Sequence, residues 1–144
     1  MSENIQTGPI LAGPRRTLPN RRRSEARKIT WTPPHNLDAP ETKIYVTIGY
    51  AEDGLRAVEI FYDGGYRSGS DLETLVSDLC IVLSVLIQHQ DIKIETFTAS
   101  LARERDLRTS KEEFGSLVGV LIEQLSIPPQ WADQLDAIDG DASA

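Results

Sequence analysis

A chain of 144 residues with 40% hydrophobic and 26% charged residues is long enough to bury a core of its own, and its length matches one domain. One cysteine and two histidines exclude an intrachain disulfide and leave no metal-ligand cluster at a recognised spacing. The net charge of −7 is uneven: residues 1–28 carry +5 and the remainder −12, a basic arm ahead of an acidic body.

The arm contains Gly8-Pro9, Gly13-Pro14 and Pro19 and few large apolar residues, so residues 1–28 are expected to stay disordered when free. Its arginines, Arg21, Arg22 and Arg23 among them, suit a phosphate or an acidic protein surface. They lack interleaved aromatic residues and precede an acidic body, which argues against nucleic acid. From Ile29 the pattern changes, and residues 29–138 are read as a single α+β domain, with 139–144 as an acidic tail. Ile29-Thr30-Trp31 suggests a short strand before Pro33-Pro34. In Lys43 to Tyr50, Ile44, Val46 and Ile48 alternate with Tyr45 and Thr47, the period of a strand with one buried face. Glu52-Asp53-Gly54 supplies a turn, and Leu55 to Tyr62 returns with Val58, Ile60 and Tyr62 on one side.

A glycine-rich link, Asp63 to Gly69, leads into Gly69 to Gln90, the expected central helix. Ser70 and Glu73 have capping-box spacing. Leu72, Leu75, Val76, Leu79, Leu83 and Leu86 recur at helical intervals, while Ile81, Val82, Val85 and Ile87 fill the other side. A helix apolar all round is expected to be covered on more than one face. Its charges make it too short to span a bilayer. Cys80, inside this run, reads as a small buried hydrophobe. Ile94, Phe97 and Leu101 then predict a second helix ending in Arg103-Glu104-Arg105-Asp106. Ser110 to Glu113 predicts the cap of a third helix, with Phe114, Leu117, Val118, Leu121, Ile122 and Leu125 as its stripe. Pro128-Pro129 stops it, and Trp131, Leu135 and Ile138 allow a short last helix. The expected fold is a small antiparallel sheet of two or three strands packed against a layer of three or four helices.

Neither signal-peptide nor lipidation patterns are visible, so the expected compartment is the cytoplasm. His35 and His89 stand apart from any candidate nucleophile, no pair of carboxylates can be assigned to one cleft, and no catalytic residue, metal site or cofactor site is expected. The candidate contact region is the Gly64 to Asp71 turn, where Arg67, Gly69 and Ser70 bring an arginine close to the amides of a helix N-terminus. The spacing is neither a phosphate-loop nor a dinucleotide fingerprint. An anion such as a nucleotide phosphate, a partner protein, or neither remain open there, with Arg21 to Arg23 as the alternative contacts.

Five blocks in order, Leu18-Pro19-Asn20-Arg21-Arg22, Tyr45 to Gly54 (YVTIGYAEDG), Glu59 to Tyr62 (EIFY), Gly69 to Leu75 (GSDLETL) and Leu83 to Gln90 (LSVLIQHQ), resemble the C-terminal accessory region of adenosylcobalamin-dependent ribonucleotide reductases. This region is called the TSCPD domain and also occurs as a short free-standing bacterial protein. The resemblance covers about Leu18 to Leu125. It implies an accessory or regulatory module in deoxyribonucleotide metabolism, acting by binding a reductase, another protein or a nucleotide. The radical cysteine, partner cysteines and carboxylate of the reductase barrel match no position here, nor does the C-terminal cysteine pair. Gln88-His89-Gln90 stands where the family commonly has a glycine after the glutamine. An activity carried over by family would be ribonucleoside-diphosphate reductase, and the chain has no residues for it. An interaction module unrelated to reductases is the alternative.

Overall fold

Alternating β-branched and aromatic residues build the first layer of the computed structural model, which describes residues 22–89 and 91–134. Strands β1 (Ser24–Trp31), β2 (Thr42–Tyr50) and β3 (Ala57–Gly64) form an antiparallel sheet in the order β1-β2-β3. Ile29 pairs with Ile44, and Ile48 with Ile60, so these four buried side chains share one face. Tyr45 and Phe61 project from the other. The turn between β2 and β3 contains Gly54 at φ +72°, a left-handed conformation that suits glycine. The strand expected at Ile29 begins five residues earlier. Residues 24–28 therefore belong to the sheet and not to the basic arm, while 1–21 and the acidic tail 139–144 lie outside the described residues.

The first half of β1 is a strand because its inward positions are Glu25 and Arg27, which satisfy each other and the far end of the chain. Arg27 donates from Nε to Glu25 (2.7 Å), from Nη1 to the Gln124 carbonyl (2.6 Å), and from Nη2 to the Tyr50 hydroxyl (2.8 Å) and the Ile127 carbonyl (2.9 Å). Glu25 in turn accepts from the Gln130 amide at 2.8 Å. Tyr50 meets Trp131 edge-on, the Trp131 indole donates to the Gly54 carbonyl, and the Arg23 guanidinium lies 5.6 Å from the Trp131 ring centre. A charged pair thus replaces apolar side chains at the sheet's inner rim.

Helix α1 (Asp71–Ile87) packs along β3. Ser70 accepts from the Glu73 amide, and Glu73 accepts from the Gly69 amide, so the expected cap forms with the carboxylate reaching one residue further back. On the buried side, Val76, Cys80, Leu83 and Ile87 join the sheet residues in one core. Ser84, also buried, accepts from the Ile60 amide (2.8 Å) and donates to the Ile60 carbonyl (2.9 Å). One hydroxyl therefore satisfies both backbone groups that β3 turns toward α1 at this position, which keeps them from being buried unpaired.

Downstream of the short helix α2 (Ile94–Ala99), the charged run Arg103 to Arg105 is a strand, β4 (Arg103–Arg105), paired with β5 (Glu112–Phe114). The helix expected from Ile94 forms as α2 but stops at Ala99, short of that run, and the cap expected at Ser110 does not form. Asp106 wins the local competition: its carboxylate accepts from the amides of Arg108 (2.6 Å) and Thr109 (3.3 Å), and Ser110 turns left-handed at φ +65° to close the hairpin. Helix α3 (Leu117–Glu123) starts instead at Ser116, which accepts from the Val118 amide, and a 3₁₀ turn (Gln124–Ser126) ends it. Phe114 is buried at the end of β5, against Gly119, where a Cβ would lie 2.2 Å from its ring. Residues 132–134 are helical, as expected after Pro128-Pro129, while Leu135 and Ile138 lie outside the described residues. The fold is a small α+β arrangement: a three-stranded antiparallel sheet, a two-stranded one, and helices on the inner face. Among the described residues no helix is long and apolar enough to cross a membrane.

Candidate functional site

The turn between β3 and α1 is held by aromatic contacts. Tyr62 and Tyr66 stack with ring centres 6.4 Å apart, and the Tyr66 amide donates to the Tyr62 hydroxyl at 2.9 Å. Burial raises the Tyr66 phenol above its ordinary pKa, partly opposed by a hydrogen bond with Thr42. Arg67 is exposed on this turn and Gly69 is left-handed at φ +80°. Of the amides that an anion would use, those of Gly69 and Glu73 are taken by Glu73 and Ser70, and that of Ser70 donates to the Arg67 carbonyl. The first turn already holds a carboxylate, and Asp63, Glu73 and Asp78 line the shallow depression beside it. A phosphate there would meet three negative charges.

The other candidate arginines are elsewhere. Arg22 makes a two-pronged ion pair with buried Glu59 (2.8 and 3.0 Å) on the outer face of the sheet, where Glu59 lies across Gly49, its β2 partner. Arg23 lies over Trp131, and its carbonyl accepts from the Tyr50 amide. The link containing Arg67 leaves β3 at Gly64, opposite Tyr45, so about five residues of β2 separate the two groups, roughly 16 Å at strand spacing. Arg22 and Arg23 do not complete a site with Arg67, Gly69 and Ser70. Arg21 lies outside the described residues.

Reactive side chains are not gathered. Cys80 is buried, and burial pushes its thiol up to about 12, far from the thiolate that nucleophilic chemistry needs. His35 pairs with Glu104 at the surface. Among the described residues no group of three or more His, Cys, Asp or Glu could hold a metal ion. A cleft of about 470 Å³ beside β4 and β5 contains Arg103, Glu112, Glu113 and Glu123, but Arg103 is stacked 4.3 Å from the Phe114 ring centre and Asp106 is engaged in its turn.

What the structure does assemble is an apolar surface. On α1, Leu72, Leu75, Ile81, Val82 and Val85 are 53, 64, 57, 54 and 38% exposed. The helix was expected to be covered on more than one face, but it packs on β3 with one face, while α3 lies over β1 with α2 beside it. Leu72, Leu75, Leu79, Val82 and Leu86 follow alternating three- and four-residue steps, a continuous seam roughly 100° around the helix from the buried stripe. Beside its first half is a groove of about 510 Å³ between α1 and the start of α3, with Trp31, Tyr66, Leu117 and Val118 in its walls. Two interleaved stripes were present in the sequence, and their different phases were the signal that one of them would face outward. No protein-family model matches the chain, and neither a curated protein nor a solved structure matches it.

Proposed function

We propose that this chain is a non-catalytic accessory module that works by docking another polypeptide on the outward side of α1, and that the process it serves is ribonucleotide reduction. The observation that carries the docking reading is the exposed seam of α1 with its adjoining groove. A rigid, well-capped helix presents aliphatic side chains at regular spacing next to an aromatic-walled depression, a geometry suited to an apolar helix or strand of a partner. The catalytic part of the reading is negative in content: among the described residues the thiol is buried and the histidines stand apart, so the useful surface is one of contact. The link to a reductase rests on the sequence resemblance, four of whose five blocks fall largely on β2, β3 and α1.

Titration of the protein against a purified adenosylcobalamin-dependent reductase from the same cell, followed by interferometry, tests this reading. Saturable binding that is weakened at least tenfold in Val82→Glu is the expected result. Val82 is exposed, so the variant keeps its fold, which circular dichroism checks. Absence of binding removes the reductase from the reading, and binding that ignores Val82→Glu moves the contact off α1.

A further inference from the structure

The three-stranded sheet has two edges, and the fold treats them differently. On β3, Ser84 satisfies both backbone groups that Ile60 turns away from β2. β1 has no such cover. The Arg23 carbonyl accepts from the Tyr50 amide at 2.9 Å, so the odd-numbered residues of β1 face β2, and antiparallel alternation turns the amides and carbonyls of Ser24, Ala26, Lys28 and Thr30 outward. All four residues are exposed, and among the described residues their backbone groups take no hydrogen bond. The register with β2 runs from Ser24 to Trp31 without a bulge, and the strand contains no proline. Bulges, prolines and covering elements are what keep an edge from pairing, and here one outward charge, Lys28, stands in their place.

We propose that this edge is a docking surface of its own, which takes an extended segment of another polypeptide as a fourth strand and holds a lysine or arginine of that segment in the acidic cleft at its Trp31 end. The proposal is independent of the outward side of α1. The edge offers backbone donors and acceptors at every second residue over roughly 26 Å, the reach of a segment of about eight residues.

The cleft supplies the side-chain preference. Its volume of about 470 Å³ lies between Thr30 and Thr32 on one side and Glu112, Glu113 and Glu123 on the other, with no residue of β2 or β3 in its walls. It therefore opens on the unpaired side of β1. Glu112, Glu113 and Glu123 are exposed and enter no ion pair among the described residues. Arg103, also in the lining, is stacked on Phe114 and leaves the sum negative. A side chain that descends from an added strand at this point is flanked by carboxylates, which selects a cation. At the opposite end of the edge Arg22 and Arg23 precede Ser24, and Lys28 follows, so the far end of the segment is neutral or acidic.

The test is a library of random ten-residue peptides displayed on phage, selected on the full chain and depleted on its Ala26→Pro variant. The missing amide and the ring of that proline fall on the unpaired side, so the variant keeps its bonds to β2 while its edge is closed, and circular dichroism checks the fold. The expected survivors alternate β-branched and polar residues and carry a lysine or arginine at one fixed position. In fluorescence anisotropy, a synthetic peptide of the most frequent sequence is expected to bind the full chain and to lose about tenfold in affinity on Ala26→Pro. The double variant Glu113→Lys, Glu123→Lys is expected to lose as much and to recover when glutamate replaces the basic residue of the peptide, an exchange that a misfolded protein cannot show. Glu95→Ala, on α2, is expected to bind as the wild type does. Bound peptide is also expected to slow hydrogen exchange at the amides of Ala26, Lys28 and Thr30. A library that yields no survivors, or survivors without alternation, overturns the proposal, and binding indifferent to the charge reversal overturns its cationic anchor. A wild type that dimerises in sedimentation velocity while Ala26→Pro stays monomeric overturns the foreign segment in favour of β1 from a second copy.

Discussion

Replacing Arg27 by methionine keeps most of the side chain's length and removes the guanidinium that joins β1 to the 124–128 segment. The side chain is only 10% exposed and donates to a carboxylate, two carbonyls and a phenol at 2.6 to 2.9 Å. Each charged hydrogen bond is worth about 1.5–3 kcal/mol net, but the Ile127 contact is exposed and water replaces it. The Gln124 carbonyl and Tyr50 hydroxyl are partly buried, and Glu25 loses its counter-charge, so the sum is about 3–4 kcal/mol, within the range for removing one member of a buried pair. For a domain of this size that corresponds to a fall in Tm of about 10–15 °C. Arg27→Lys keeps the charge but cannot reach four acceptors at once, and an intermediate loss of about 1–2 kcal/mol is expected. Thermal unfolding followed by circular dichroism measures all three proteins, with Lys28→Ala, one residue along on the exposed face, as the reference expected to stay within about 0.5 kcal/mol of wild type. If Arg27→Met melts with Lys28→Ala, the guanidinium does not anchor the strand and the account of β1 is wrong.

At Gly49 an added Cβ would lie 2.3 Å from Glu59 Oε2, so Gly49→Ala is expected to displace Glu59, break its pair with Arg22 and cost about 1–2 kcal/mol. In urea titrations that cost should be smaller in a Glu59→Ala background, and equal costs would exclude the coupling. Ser84→Ala leaves the amide and carbonyl of Ile60 unpaired beside α1, for an expected loss of about 2–4 kcal/mol and faster hydrogen exchange at Ile60; unchanged exchange there would contradict the assignment. In alkali, the folded thiol of Cys80 keeps its proton up to about pH 12 while the unfolded thiol releases it near pH 9. Stability from this group is complete below pH 9 and declines by roughly 1.4 kcal/mol per pH unit above it. Tyr50 and Tyr66, both raised by burial, add to the decline above about pH 10, and Cys80→Ala should shift its onset upward. Deleting residues 1–28 takes away Arg27 and more than half of β1, and the shortened protein is expected to melt far below wild type or not to fold.

Alternation under a single covered face made β2, β3 and the Ile29 end of β1 readable, because Ile44, Val46, Ile48, Val58 and Ile60 declare their side without help from the rest of the fold. The N-terminus of α1 was equally plain, since Ser70 and Glu73 act within one turn. The first half of β1 was hidden because its inward residues are Glu25 and Arg27, and their burial depends on acceptors about a hundred positions away. Ser110 to Glu113 misled for a local reason: it has the spacing of a cap, but Asp106 had already committed the segment to a hairpin. Ser116 was easy to overlook because Gly119 stands where a capping glutamate would be. For the candidate contacts, spacing brought Arg67, Gly69 and Ser70 to one turn as read, and the same cap spacing ties up the Gly69 and Glu73 amides, while the gathering of Asp63 with Glu73 and Asp78 beside them depends on how β3 meets α1. The outward seam of α1 was legible as apolar, and only the way α1 docks on β3, with α3 placed over β1, decided which stripe stayed uncovered.

The bonds from Arg27 to Gln124 and from Glu25 to Gln130 span 97 and 105 residues, which has a consequence during synthesis. A ribosome delivers β1 first, and the acceptors that hold its polar half arrive only after nearly all the rest of the domain has been made. Closing a loop of about a hundred residues costs on the order of 4 kcal/mol of chain entropy, and until the 124–131 segment has emerged, pairing with β2 holds the backbone of β1 but leaves the Arg27 donors to Gln124 and Ile127 unmet. The hairpin of β2 and β3 with α1 can assemble on the nascent chain before then, but the inner rim of β1 must wait. The domain therefore completes its fold in a late step, in which its earliest strand is fastened by its most recently made residues.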